Sequence, residues 1–163
     1  MIDKKDQSPI LALVVPCYNE EEVLEETIKQ LTIVLKRLID DGKISPKSFM
    51  KFVDDGSRDN TWEIIESNSK KNPLVKGLKL SKNQGHQNAL LAGMAHVKDK
   101  CNCFISLDAD LQQDENSIED FIDKYTEGSE VVLGIRKDRK TDGLFKKLTA
   151  LSFYKLMQTM GVN

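Results

Sequence analysis

The chain has 163 residues, 39% of them hydrophobic and 31% charged, with a formal net charge of −2. Those proportions describe one ordinary folded domain and exclude a collagen repeat, a disulfide miniprotein, a disordered tail and a bundle of membrane spans. The longest apolar run, Ile10-Leu11-Ala12-Leu13-Val14-Val15, is far below the roughly 20 residues that cross a bilayer, and no secretory h-region opens the chain, so the expected location is cytosolic.

Apolar, β-branched stretches recur at 10–15, 49–53, 74–80, 103–107 and 130–135, each bounded by Gly, Pro, Asn, Asp or Ser, and they read as strands. Segments with helical spacing lie between them. The first helix carries Val23, Leu24, Thr27, Ile28, Leu31, Val34, Leu35, Leu38 and Ile39 on one stripe, with Asn19 and Glu22 resembling a capping pair and Gly42 as its stop. A second starts near Asp59 and buries Trp62, Ile64 and Ile65; a third, short and Ala-rich, spans about 86–97. A fourth begins after Asp114, turns Ile118, Phe121, Ile122 and Tyr125 inward, and ends at Gly128. Strands and helices in strict alternation predict an α/β fold with a mostly parallel sheet sandwiched by helices.

Sites in such sheets lie beyond the carboxyl ends of the strands. Polar residues stand at each of those ends: Pro16-Cys17-Tyr18-Asn19-Glu20, Asp54-Asp55-Gly56-Ser57, Ser81-Lys82-Asn83-Gln84-Gly85-His86, Asp108-Ala109-Asp110-Leu111-Gln112, and Gly134-Ile135-Arg136. Asp108 and Asp110, one residue apart in a turn, can converge on one divalent ion, with Gln112 as a third oxygen ligand; all-oxygen ligation suits Mg²⁺ or Mn²⁺. Asp54 and Asp55 precede a glycine that permits a sharp turn, where a carboxylate can take a hydrogen bond from a nucleobase or a ribose. The alternative is capping of the next helix by Asp55, Ser57 or Asp59. His86 opens a helix beside Gly85 as a candidate ligand contact, whereas His96 reads as structural. Cys17, Cys101 and Cys103 fit neither a disulfide framework nor zinc spacing and read as reduced thiols.

Absent motifs narrow the field. No GxxxxGK[ST] occurs, and no GxGxxG follows the first strand, which excludes a P-loop and disfavours a dinucleotide-type site. A receiver domain places its acids after the first and third strands; here they follow the second and fourth.

Together, Val14-Val15-Pro16-Cys17-Tyr18-Asn19-Glu20-Glu21, Val53-Asp54-Asp55-Gly56-Ser57-Arg58-Asp59-Asn60-Thr61, Asn83-Gln84-Gly85-His86-Gln87-Asn88-Ala89-Leu90 and Leu107-Asp108-Ala109-Asp110-Leu111-Gln112 resemble family 2 glycosyltransferases of the GT-A fold. The branch they look most like contains dolichyl-phosphate mannose synthase and bacterial polyprenyl-phosphate glucosyltransferases of the GtrB type. The resemblance implies a metal-assisted, inverting transfer of a hexose from a UDP- or GDP-sugar to polyprenyl phosphate; a saccharide acceptor, or a donor-binding fragment without turnover, are the alternatives. It implies that Pro16, Tyr18 and Glu20 border the base and ribose, that Asp55 with Asp54 contacts the base, and that Asn83, Gly85 and His86 form a loop under the donor. Asp108, Asp110 and Gln112 would hold the metal at the diphosphate, with Ala109 between them, and Arg136 and Arg139 would meet diphosphate or acceptor phosphate. Asp108, Asp110 and Arg136 are the expected catalytic residues. One departure is local: where the family often shows an acidic residue, two prolines and Glu, this chain has Gln113-Asp114-Glu115-Asn116.

Residues 136 to 155 hold seven Lys or Arg against two Asp, a local charge of +5 that leaves −7 elsewhere. The acidic remainder argues against nucleic acid as a partner. Leu144, Phe145, Leu148, Leu151, Tyr154 and Met157 share a helical face flanked by Lys146, Lys147 and Lys155, as in a helix lying on an anionic membrane; packing on its own domain or on a second copy in a homo-oligomer is the other reading. The expected organisation is a nucleotide-sugar-binding core over 1–135 and a basic amphipathic segment over 136–163 that opens an acceptor or membrane-proximal region and breaks off within it. The expected place of action is the cytosolic face of the membrane.

Overall fold

A computed structural model describes residues 8–110 and 117–134. The elements alternate as expected: β1 (Leu11–Cys17), α1 (Leu24–Asp40), β2 (Phe49–Asp54), α2 (Thr61–Lys71), β3 (Val75–Lys79), α3 (His86–Val97), β4 (Cys103–Ser106) and α4 (Ser117–Thr126). All four strands run parallel in the order β3-β2-β1-β4. The chain winds outward from β1 through β2 to β3, then returns to place β4 on the other side of β1. That reversal makes the carboxyl ends of β1 and β4 the topological switch point, where α/β sheets open a crevice for ligands.

Burial on both faces explains the continuous apolar strands. Leu11, Leu13, Val15 and Cys17 point to one face, where Met50 and Phe52 join the inner stripes of α1 and α4 and Ile65 of α2. Ala12, Val14, Phe49 and Val53 point to the other, where α3 lies on them through Ala89 and Val97. Between those two on the helix sits Gly93, where an added Cβ would stand 2.5 Å from Val14 Cγ1 and 2.8 Å from Val53 Cγ2; the missing side chain is what lets α3 approach the sheet so closely.

The α1 stripe is buried from Leu24 to Leu38, with Ile39 partly covered. The helix ends as expected at Gly42, whose φ of 71° continues a turn that other residues resist. Gly42 N–H donates to Ile39 O and Lys43 N–H to Leu38 O, which satisfies two otherwise orphaned carbonyls. The expected Asn19–Glu22 capping pair does not form. No side chain caps α1; the Glu20 carbonyl accepts the Val23 and Leu24 N–H groups instead, and Asn19 serves another loop.

One further expectation fails within the described residues: 130–134 form no strand. Val131 and Leu133 are 78% and 80% exposed, so the segment lacks the burial and the ladder partner that turn an apolar run into a strand. Among the described residues no helix is long and apolar enough to cross a membrane.

Candidate functional site

Four of the predicted strand-end motifs gather at the carboxyl edge of the sheet, and the first three are tied together by hydrogen bonds between side chains of one loop and backbone N–H groups of another. After β1, Asn19 adopts φ 55°, an uncommon left-handed conformation for a residue with a side chain. The turn is secured by the loop after β2: Ser57 Oγ accepts Asn19 N–H, Asn19 Oδ1 accepts Arg58 N–H, Thr61 Oγ1 accepts Glu20 N–H at 2.8 Å, and Asp59 Oδ2 accepts Glu21 N–H. Glu21 returns the exchange by accepting the backbone and side-chain N–H groups of Asn60. Asp59 Oδ1 also accepts Thr61 N–H at the start of α2, as the capping reading of that residue expects.

The second strand end is buried. Asp54 is fully covered, with Oδ1 accepting Ser57 N–H at 3.1 Å and Oδ2 lacking a hydrogen-bond partner among the described residues. Asp55 is 2% exposed, and its two oxygens accept the N–H groups of Gln84 at 2.7 Å and Gly85 at 2.9 Å. Asn83, Gly85 and His86 are exposed on the loop thus held.

At the fourth strand end Asp108 and Asp110 are exposed, while Ala109 between them is 4% exposed and points into the core. Its carbonyl oxygen accepts the hydroxyl proton of Thr27, 2.6 Å away on α1. The turn therefore presents two carboxylates outward from an anchored centre. His86 Nε2 lies 4.0 Å from Asp108 Oδ1, which joins the third motif to the fourth. Glu20 joins them from the first: partial burial, followed by the charges of Asp110, Asp59 and Asp108, raises its carboxyl above the ordinary range.

The expected residues thus divide by environment. Pro16 is buried in β1, Tyr18 is 39% exposed just beyond it, and Glu20 stands beside the aspartate pair across the switch point. Gln112, Arg136 and Arg139, with the whole basic segment 136–163, lie outside the described residues. Thr27 is the site residue that periodicity conceals, because it occupies an ordinary position of the α1 stripe. The signal was its hydroxyl, which on a buried face requires a partner.

A divalent cation fits the chemistry of this edge. Asp108 and Asp110 offer hard, exposed oxygens, and their negative charge, which adds to burial in raising the Glu20 carboxyl, is of the kind a cation relieves. Among the described residues no three acidic, histidine or cysteine side chains are grouped closely enough to form a complete metal cage. The cysteines take no part: Cys17, Cys101 and Cys103 are free, burial raises all three thiols, and that of Cys103 is pushed up to about 12.

Residues 12–161 match the family model described as Glycosyl transferase family 2. The chain is 52% identical over 158 residues to a Bacillus subtilis protein named uncharacterized glycosyltransferase YkoT, covering 97% of this chain and 47% of that protein. It is 36% identical over 147 residues to the bactoprenol glucosyl transferase of Shigella phage SfV, covering 90% and 45%. The chain thus spans less than half the length of these curated relatives. Among solved structures, mannosyltransferase PcManGT from Pyrobaculum calidifontis, in complex with GDP-Man and Mn²⁺, superimposes with a TM-score of 0.60 at 19% identity, over 83% of this chain and 38% of that one. That likeness establishes the GT-A fold.

Proposed function

The chain belongs to glycosyl transferase family 2, and from that membership we propose that it forms the donor-binding half of an inverting transferase. The enzyme moves a hexose from a UDP- or GDP-sugar to a polyprenyl phosphate at the cytosolic face of the membrane. The observation that carries this reading is the meeting of Glu20, His86, Asp108 and Asp110 at the switch point between β1 and β4. The bactoprenol glucosyl transferases among the relatives support the acceptor class.

In this reading Asp108 and Asp110 would hold Mg²⁺ or Mn²⁺, with Gln112 as a further oxygen donor. When bound, the ion neutralises charge that grows on the departing diphosphate. Pro16, Tyr18 and Glu20 border the base and ribose. Arg136 and Arg139 complete the diphosphate and acceptor-phosphate contacts, since a guanidinium pairs two oxygens at once. A phosphate oxygen of the acceptor attacks the anomeric carbon, the bond from that carbon to the diphosphate oxygen breaks, and the nucleoside diphosphate leaves. The attacking phosphate is already ionised, so no side chain has to remove a proton. Seven basic residues over 136–155 give that stretch of sequence a charge that attracts anionic lipid.

Calorimetry with UDP and GDP in the presence of Mn²⁺, run beside a transfer assay with polyprenyl phosphate, tests the proposal. Mn²⁺-dependent nucleotide binding is expected. Its absence for both nucleotides sinks the donor reading, and transfer to an oligosaccharide in place of the lipid sinks the acceptor reading.

A further inference from the structure

The Asp55 carboxylate faces protein. It lies 2% exposed under the loop after β3, and each oxygen takes one backbone N–H, from Gln84 at 2.7 Å and from Gly85 at 2.9 Å. The neighbouring glycine tells the same story by another route. Gly56 has φ 68°, and a Cβ there would stand 2.6 Å from Asn83 N and from the carbonyl carbon of Lys82. Backbone meets backbone at this point, so the Asp55-Gly56 turn is shaped to receive the 82–85 segment: one residue grips it and the other makes room for it.

The held segment is the entry to α3. Gly85, with φ 88°, is the last residue before the helix, its carbonyl accepts Ala89 N–H, and the Gln84 carbonyl accepts Asn88 Nδ2–H. His86 is the first residue of α3, and its Nε2 lies 4.0 Å from Asp108 Oδ1. A shift at Gln84 and Gly85 moves the first turn of the helix, and His86 with it. Bonds from N–H groups to a buried carboxylate are among the stronger hydrogen bonds, and here two of them act on adjacent residues.

We propose that Asp55 is a positioning residue that acts on the donor site through the 82–86 loop: by gripping Gln84 and Gly85 it sets where His86 stands against Asp108, and Gly56 provides the space the grip requires. The inference rests on the proposed nucleotide-sugar reading for its functional consequence. The grip itself does not depend on that reading.

The test uses the 163-residue chain and the variants Asp55→Ala, Asp55→Asn and Gly56→Ala, each checked for a cooperative thermal transition. Two readouts need no nucleotide: hydrogen exchange of the Gln84 and Gly85 amides, and the imidazole resonances of His86, with His96 near the far end of the same helix as internal reference. The third is the affinity for UDP or GDP with Mn²⁺. Asp55→Ala and Gly56→Ala are expected to speed exchange at Gln84, and less at Gly85, whose N–H also donates to Asn83 Oδ1 at 3.0 Å, to shift the His86 signals while leaving His96 in place, and to weaken nucleotide binding by about tenfold, the scale of one charged hydrogen bond. Asp55→Asn, which keeps one acceptor oxygen and preserves the shape if alanine fails to fold, is expected to fall between. Wild-type exchange and an unmoved His86 in Asp55→Ala or Asp55→Asn would overturn the grip. A displaced loop with unchanged nucleotide affinity would overturn its role in the donor site. Failure of the wild-type chain to bind either nucleotide would sink the donor reading, and with it the functional half of the inference, while exchange and imidazole signals still decide the grip.

Discussion

Thr27 on α1 donates its hydroxyl proton to the carbonyl oxygen of Ala109 at 2.6 Å, tying the buried face of a helix to the turn that carries Asp108 and Asp110. Thr27 is fully buried and Ala109 nearly so, so water cannot replace the bond. Thr27→Val keeps the shape and removes the donor; it should lower unfolding stability by about 1–3 kcal/mol and weaken Mn²⁺-supported nucleotide binding. Thr27→Ser should preserve both, and urea denaturation with calorimetry separates the two outcomes.

Asp110 is exposed at the switch point, which makes its substitution a test of chemistry more than of folding. Asp110→Ala should keep the melting transition and lose transfer by about a hundredfold or more, the scale of removing a group that stabilises transition-state charge. The same variant should lose the Mn²⁺-dependent part of the nucleotide-induced thermal shift. Full activity would remove the aspartate pair from the mechanism.

Gly93 is the close contact of α3 with the sheet. Gly93→Ala puts a methyl 2.5 Å from Val14 Cγ1 and 2.8 Å from Val53 Cγ2. Alanine is favoured over glycine in a helix by about 1 kcal/mol, while overpacking a core costs about 1–3 kcal/mol. The overpacking should win, because both neighbours are β-branched and stiff. A lowered melting temperature is the expected result.

Lys51 on β2 is 5% exposed, and its Nζ donates to Gly77 O at 3.1 Å. Burial, then Lys100 and Lys76, bring its pKa down from 10.5 to about 8. Below that value the folded chain carries the charge at a cost. Above it the fold sheds a proton that the unfolded chain keeps up to about 10.5, so stability should climb from about pH 8, by at most about 1.4 kcal/mol per unit. The buried thiols oppose this higher up: Cys17 and Cys103 retain protons in the fold that unfolded cysteines lose near 9.0, so their contribution falls as pH rises past that point. Denaturation of Lys51→Met beside the wild type, from about pH 8 to about pH 9, isolates the lysine. The wild type should gain on the variant with rising pH, and parallel curves would contradict the assignment.

Much of the fold was legible in local pattern. The α1 stripe, the stop at Gly42, the start of α3 at His86 and the positions of β1 to β4 follow from periodicity and turn chemistry, which act within a few residues. The Asn19–Glu22 cap fails for the same reason. A capping pattern is local, whereas Asn19 is claimed by Arg58, 39 residues away. The apolar run at 130–134 resembled a strand because composition cannot show whether a neighbour is there to pair with it.

By itself the sequence determined the alternation of strands and helices, the family, and the set of acids, amides and glycines at the strand ends, since each depends on residue type and short spacing. Tertiary structure decided which of those ends are neighbours. Placing β1 between β2 and β4 brings Glu20 beside Asp108 and Asp110, and the reach of α3 brings His86 to Asp108. It also decided what each carboxylate serves: Asp108 and Asp110 stand exposed at the mouth of the site, while Asp55 turns to the amides of Gln84 and Gly85. The reason is that a buried carboxylate is satisfied by whatever donors the fold brings within hydrogen-bond reach. Those donors are 29 and 30 residues away along the chain.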